Sequence, residues 1–347
     1  MTLPVLPDPA PLLADYDLAP PVEVFGLTGV GTNNRIVGVR SGAGDFVWKL
    51  YQTFGDPASL RYEHDLLIWL AEQGLSFAVP APSPGRSGET LYRTDAGWQA
   101  LFPLLPGEQT DRRDLAQVEA GGAALGELHG VLARGPATPR PDIPSSGDLD
   151  RIHPAVPAPE GLTRRDFGLP DESPHDEMLA WWRQHLRGLR AFVAGSYRAL
   201  PRQLIHGDFV LGNTLLHGGR VSAILDFEFA GPDARAVDVA SGLEFALRPW
   251  DGTAADALWP IAAAFCRGYA RRNILTEAEV AAIPWLIRLR DTASALWHTG
   301  QTLARGHGQR NRSSFEHLRD TARWVEVHEE ELVATVRRAL DRAVRER

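Results

Sequence analysis

Residues 204–228 read Leu-Ile-His-Gly-Asp-Phe-Val-Leu-Gly-Asn-Thr-Leu-Leu-His-Gly-Gly-Arg-Val-Ser-Ala-Ile-Leu-Asp-Phe-Glu. Two short apolar runs, Asn213 to Leu216 and Val221 to Leu225, flank the pair Gly218-Gly219. A glycine pair between two such runs is a strong local signal for a two-residue hairpin turn, because the favoured turn needs positive φ at both central residues. His206, Asp208 and Asn213 precede the first strand and Asp226 follows the second, so the closed hairpin is expected to gather its polar ends into an acidic pocket.

The order of these groups carries chemistry. Phosphoryl transfer needs a carboxylate to accept the proton of the attacking hydroxyl, and hard oxygen ligands to hold magnesium against the nucleotide phosphates. Asp208, Asn213 five residues on, and Asp226 opening Asp-Phe-Glu follow the order of a kinase catalytic loop and metal-binding segment: base, amide ligand, carboxylate ligand. Turn chemistry alone also places Asp and Asn beside hairpins, but it does not require this order at this spacing.

At these residues the chain resembles the aminoglycoside phosphotransferase and choline kinase superfamily, whose signature is His-Gly-Asp, four residues, Asn, then an Asp closing a hairpin. The resemblance implies an α+β, bilobal protein-kinase-like fold with a small antiparallel-sheet amino-terminal lobe and a large helical lobe. It also implies transfer of the ATP γ-phosphoryl group to a hydroxyl with Mg2+ as cofactor. Asp208 is then the catalytic base, and Asn213 and Asp226 are the metal ligands. Glu228 departs from protein kinases, which place glycine there, and its role is open.

Composition sets the bounds. The chain has 347 residues, 44% apolar and 23% charged, which is an ordinary globular balance and enough for two lobes. A formal charge of −8 argues against general nucleic-acid binding. Cys266 is the single cysteine, so no internal disulfide forms and a reducing context is expected. Residues 1–21 are rich in Pro and Asp and lack a signal-peptide pattern, and no apolar run reaches membrane-spanning length. A cytoplasmic protein without membrane or nucleic-acid partners is expected.

Val22 to Val39 reads as strand, glycine-rich turn, strand. Gly29 and Gly31 allow close backbone approach to a phosphate and the amides of Thr32, Asn33 and Asn34 can point at it, although a loose hairpin turn fits these residues equally well. The Gly-Thr-Asn-Asn cluster looks like the nucleotide loop of the superfamily's bacterial homoserine kinase branch. Phe46 to Tyr51 alternates as a strand and carries Lys49, the sole lysine of a chain that otherwise writes its cations as arginine. A compact ammonium and a planar guanidinium are not interchangeable at a phosphate contact, so Lys49 is expected to meet the nucleotide rather than to sit on an open strand face.

Pro57 to Gln73 reads as a helix with Leu60, Leu67 and Leu70 on one stripe. Glu63 falls within that stripe, where it needs a partner, and Lys49 is the natural one unless Glu63 lies at the edge facing water. Leu91 to Arg93 and Trp98 to Phe102 complete five strands. Residues 103–107 then break the pattern, as a simple interstrand loop or as a hinge, which only their position between the lobes favours and where the backbone of Phe102 to Leu105 is expected to meet the adenine edge. The lobes are accordingly read as 1–105 for nucleotide binding and 106–347 for the catalytic hairpin and acceptor site.

In the second lobe, Asp114 to Val131 is expected as a helix with Leu115, Val118, Leu125 and Leu128 inward. His129 reads as a buried structural donor and Asp238 as the superfamily's acid that bonds the catalytic-loop backbone. Residues 135–174 are irregular, either a gate or a tether. Further helices are expected over Glu177–Leu200, Thr253–Arg272, Thr276–Arg305 with a break before Pro284, and Ser313–Arg347, the last leaving monomer or homodimer open. Only eleven residues separate Asp226 from Asp238, too few for a protein-kinase activation segment, so the acceptor is a small-molecule hydroxyl. Homoserine leads. A choline, aminoglycoside or sugar acceptor is the alternative, with Glu244, Trp250 and Asp251 suiting a cation and Arg248 a carboxylate. A pseudokinase is the reading from another class, and retention of base, metal ligands and lysine argues against it.

Overall fold

The computed structural model describes residues 8, 10–27, 34–52, 55–95, 97–136, 140, 142–168, 176–247, 254–305 and 311–346. By internal contacts the chain forms two compact units, residues 1–108 with 214–228 and residues 109–213 with 229–347.

The first unit holds α1 (Ala10–Asp15), β1 (Glu23–Phe25), β2 (Arg35–Ser41), β3 (Gly44–Tyr51), α2 (Pro57–Ala71), β4 (Tyr92–Thr94), β5 (Gly97–Pro103) and the start of the short β6 (Glu108–Gln109). The five strands expected from the sequence form an antiparallel sheet in the order β1-β2-β3-β5-β4. Alternating burial follows from the pleat: Val37, Val39, Trp48, Leu50 and Leu101 form one apolar cluster. Leu12 and Tyr16 of the amino-terminal segment complete that cluster, which the sequence did not suggest because six helical residues are too short to show a period. Helix α2 starts where Asp56 accepts from the Ala58 amide at 3.1 Å with Pro57 in the first turn, and it stops before Gly74, whose φ is +70°.

The second unit is helical, with α3 (Leu115–Leu132), α4 (Asp176–Ala194), β7 (Arg202–Ile205), β10 (Gly231–Ala234), α5 (Ala236–Leu247), α6 (Ala255–Ala270), α7 (Glu277–Arg305) and α8 (Asn311–Arg345). The intervening β8 (Thr214–His217) and β9 (Arg220–Ile224) group with the first unit. Helices α3 and α6 approach closely: a Cβ on Gly122 would strike the Phe265 carbonyl and one on Gly268 the Glu119 carbonyl.

Three expectations are corrected. Leu115 is 40% exposed, because it opens the first turn of α3 beyond the inward stripe of Val118, Leu125 and Leu128. Helix α7 runs unbroken through Pro284, since buried Ile283, Leu286 and Ile287 hold the turn in place. Helix α8 instead kinks at His328, where φ and ψ are −112° and 15°. Residues 142–168 form only one short 3-10 turn, yet Leu149, Val156, Leu162 and Phe167 are buried, so the segment is packed rather than a loose tether. Among the described residues no helix is long and apolar enough to cross a membrane.

Candidate active site

The hairpin forms as its glycines require. Gly218 and Gly219 have φ of +58° and +76°, and Thr214 pairs with Ile224. Asn213 therefore directly precedes, and Asp226 follows by two residues, a pair of ladder partners. Asp226 itself adopts φ +67°, the one positive value at a non-glycine among the described residues. Asp and Asn tolerate this region better than other side chains, and such strain gathers at functional positions.

In the first unit, Lys49 on β3 lies opposite Ile36 of β2 and Ala100 of β5 and turns its side chain inward. Its Nζ stands 3.1 Å from Glu63 Oε1 and 3.7 Å from Glu228 Oε2, with the Tyr51 ring 4.7 Å away. Lys49, Glu63 and Glu228 are 7%, 3% and 1% exposed, so neither the strand-surface nor the water-facing alternative holds. Burial pulls the ammonium down, but Glu63, Tyr51, Glu228 and Asp226 outweigh it and hold Lys49 above the ordinary lysine value. Glu228, whose role the sequence left open, also accepts from Asn34 Nδ2 at 2.6 Å, while Asn34 Oδ1 accepts from the Gln52 amide at 3.1 Å. It thereby ties Asn34, the residue before β2, to the lysine.

Behind this pair, Tyr51 Oη meets His64 Nε2 at 2.9 Å, and burial pushes His64 down to about 4, so the imidazole is neutral. Gly29, Gly31, Thr32 and Asn33 lie outside the described residues, as do Arg248, Trp250 and Asp251. Phe102 is buried in β5 opposite Val47, and Leu105 is half-buried beyond the strand end. Between them the Leu104 amide donates to the Asp45 carbonyl at 3.0 Å, which removes one of the expected adenine contacts.

In the second unit, buried Asp238 at the start of α5 accepts from the His206 amide at 2.8 Å and the Gly207 amide at 2.9 Å. His129 Nε2 reaches the same carboxylate at 3.1 Å and its Nδ1 meets Tyr269 Oη at 3.0 Å. This network fixes the turn before Asp208. Only glycine fits at position 207, which has φ +82° and would drive any Cβ into the Phe229 carbonyl. Asn213 Nδ2 donates to the Asp208 carbonyl at 3.1 Å, which fixes the orientation of the amide.

The sequence missed one contact here: Arg290 of α7 donates from Nη2 to Asp208 Oδ1. Burial would lower the guanidinium, but Asp208, Glu244 and Asp291 hold it above its usual value. No local pattern marks Arg290, which is 82 residues from its partner and one of many arginines. Nearby, one ligand atom each from Glu244 of α5, Asp291 of α7 and His317 of α8 lie within 4.8 Å of one another. Burial, then the Glu244 charge, pushes Asp291 up to about 7, and Glu244 raises His317.

The model of the phosphotransferase enzyme family matches residues 28–275, and this chain belongs to that family. It is an enzyme, a small-molecule kinase that moves the γ-phosphoryl group of ATP to an alcohol group of a small metabolite. A homoserine kinase of Caulobacter sp. (strain K31) is 32% identical over 287 residues, spanning 80% of this chain and 81% of that protein. A homoserine kinase of Granulibacter bethesdensis is 30% identical over 80% of each chain. Among solved structures, a microcompartment-associated aminopropanol kinase shares the fold with a TM-score of 0.69 at 19% identity, covering 93% of this chain and 97% of that one. An amicoumacin kinase in complex with AMP-PNP and Ca2+ gives 0.65 at 17% identity, covering 92% and 93%. The expected fold class is thus the fold of this family.

Proposed function

We propose that the chain is a homoserine kinase. What supports the acceptor is that relatives carrying this activity in their names align over four-fifths of the chain. In this reading Asp208 accepts the proton of the homoserine hydroxyl as its oxygen bonds the γ-phosphorus, and the bond from that phosphorus to the bridging oxygen of ADP breaks. No covalent enzyme intermediate is needed. Positioning and charge neutralisation supply the acceleration.

Residues 1–105 are proposed as the nucleotide lobe and 106–347 as the lobe of the catalytic hairpin and acceptor. Lys49, held by Glu63, pairs with the phosphates, while Gly29, Gly31, Thr32 and Asn33 cradle them and Phe102 and Leu105 flank the adenine. Asn213 and Asp226 are proposed to hold Mg2+, and the donor set suits it: the amide oxygen of Asn213 and the carboxylate of Asp226 are hard oxygen ligands. When bound, the ion neutralises phosphate charge. Asp238 and His129 keep the turn that carries Asp208 rigid.

The test is a phosphorylation screen with ATP and magnesium across homoserine, choline, aminoglycosides and sugars. Homoserine should be the preferred acceptor. Preference for another alcohol would replace the substrate, and nucleotide binding without transfer to any acceptor would favour a pseudokinase.

A further inference from the structure

Helix α7 carries adjacent charges that face two neighbourhoods. Arg290 donates through Nη2 to Asp208, and its Nη1 lies 3.8 Å from Asp291 Oδ1. Asp291 gathers with Glu244 and His317, whose Nε2 is 3.8 Å from Glu244 Oε1. The guanidinium thus links the proposed base to a second polar cluster within the same unit. Asp291 is 4% exposed and Glu244 7%. Among the described residues Asp291 Oδ2 is buried without a hydrogen bond of normal geometry, and the Thr321 hydroxyl stands beside the carboxylate. Burial holds this carboxyl up at about 7, and a donor entering the cluster would satisfy its ionised form.

The charges do not balance. With Asp291 ionised, above about pH 7, Asp208, Glu244 and Asp291 bring three negative charges, against which Arg290 and a protonated His317 supply two positive ones. One positive charge is missing. A divalent ion overshoots that deficit and would stand beside a guanidinium already set against Asp291, whereas an alkylammonium brings a single charge and N–H donors for Asp291 Oδ2.

We infer that Glu244, Asp291 and His317 form the subsite for the α-ammonium of an amino-acid acceptor, and that Arg290 takes the α-carboxylate of the same molecule. This rests on the homoserine reading and deepens it. A guanidinium suits a carboxylate because its fork pairs both oxygens. The carboxylate also competes with Asp208 for Arg290. An acceptor that carries one loosens the arginine's hold on the base and makes Asp208 a better proton acceptor, while an acceptor without one leaves the base engaged. The preference therefore falls on kcat as well as KM.

The experiment compares homoserine with two truncated acceptors, γ-hydroxybutyrate, which lacks the amine, and the terminal amino alcohol left when homoserine loses its carboxylate. In the wild-type enzyme both should fall at least about a hundredfold in kcat/KM, a floor below the roughly 10⁴–10⁵ that a buried polar subsite left unpaired can impose. Arg290→Gln should compress the preference for homoserine over the amino alcohol to within about tenfold, and Glu244→Gln should do the same for homoserine over γ-hydroxybutyrate. Arg290→Lys, which keeps the buried charge, stands in if the glutamine variant does not fold, and should lose part of the carboxylate preference. Equal use of all three acceptors by the wild type, or an unchanged preference in the Arg290 variants, overturns the inference while leaving homoserine kinase activity intact. Failure to phosphorylate homoserine at all, with transfer to an unrelated alcohol, removes the homoserine reading and this inference together.

Discussion

Lys49 Nζ lies 3.1 Å from Glu63 Oε1, a pair that joins β3 to α2 out of solvent. Glu228 faces the same ammonium from the hairpin end at 3.7 Å, so the lysine is held on two sides. An arginine keeps the charge but not the shape. Lys49→Arg is expected to fold with a loss of about 1–3 kcal/mol from overpacking, read by thermal melting. It should lower kcat/KM for ATP at least about tenfold. Because lysine occurs nowhere else, an amine-reactive ATP analogue should label this side chain and be blocked by ATP. Parental kinetics together with labelling insensitive to ATP would remove Lys49 from the nucleotide site.

Asp208→Asn retains an oxygen that can accept from Arg290 but cannot take the acceptor's proton. Turnover should fall by about 10² to 10⁴ with nucleotide affinity preserved. A variant that turns over at the parental rate would assign the base elsewhere.

The left-handed backbone at Asp226 guides the choice of metal-site variant. Asparagine tolerates that conformation, so Asp226→Asn removes the charge without adding strain. Calorimetry should show ATP binding losing most of its magnesium-dependent tightening while adenosine affinity stays level. Parallel loss of both affinities would point to a damaged fold.

Asp238 is fully buried and meets two backbone amides and an imidazole. Removing it strands three buried partners. Asp238→Ala should cost at least about 3 kcal/mol and depress kcat through the misplaced turn. A stable, fully active alanine variant would show that the turn holds itself.

Asp291, pushed up to about 7, sets a pH dependence. Glu244, Arg290 and His317 face it, and His317 is itself raised. The charged carboxylate attracts an ammonium, so as pH falls through about 7 the subsite loses negative charge, and protonation of His317 acts in the same direction. The KM for homoserine should rise between about pH 8 and 6 with KM for ATP nearly flat. Asp291→Asn should start with a higher KM and a shallower profile. An acceptor KM that falls on acidification would contradict the cluster's role.

Local chemistry explains which parts were legible in the sequence. The hairpin could be read because two glycines at positive φ leave few alternatives, and Glu63 because helical phase puts it among Leu60, Leu67 and Leu70. The fold class followed from the same motifs. Arg290 was invisible because its partner is 82 residues away. Glu244 was named for a cationic acceptor, but Asp291 and His317, which converge on it from two other helices, were not, because no single helix's period marks a side chain whose partner is on another element. The break expected at Pro284 failed because buried neighbours override local propensity.

Phosphorus NMR of the purified protein with ATP, magnesium and L-homoserine tests the central claim most directly. A phosphomonoester of homoserine and ADP should form in equal amounts, with the signal lost in Asp208→Asn. ADP and inorganic phosphate without the homoserine phosphomonoester, or the same ester formed at the parental rate by the asparagine variant, would contradict it.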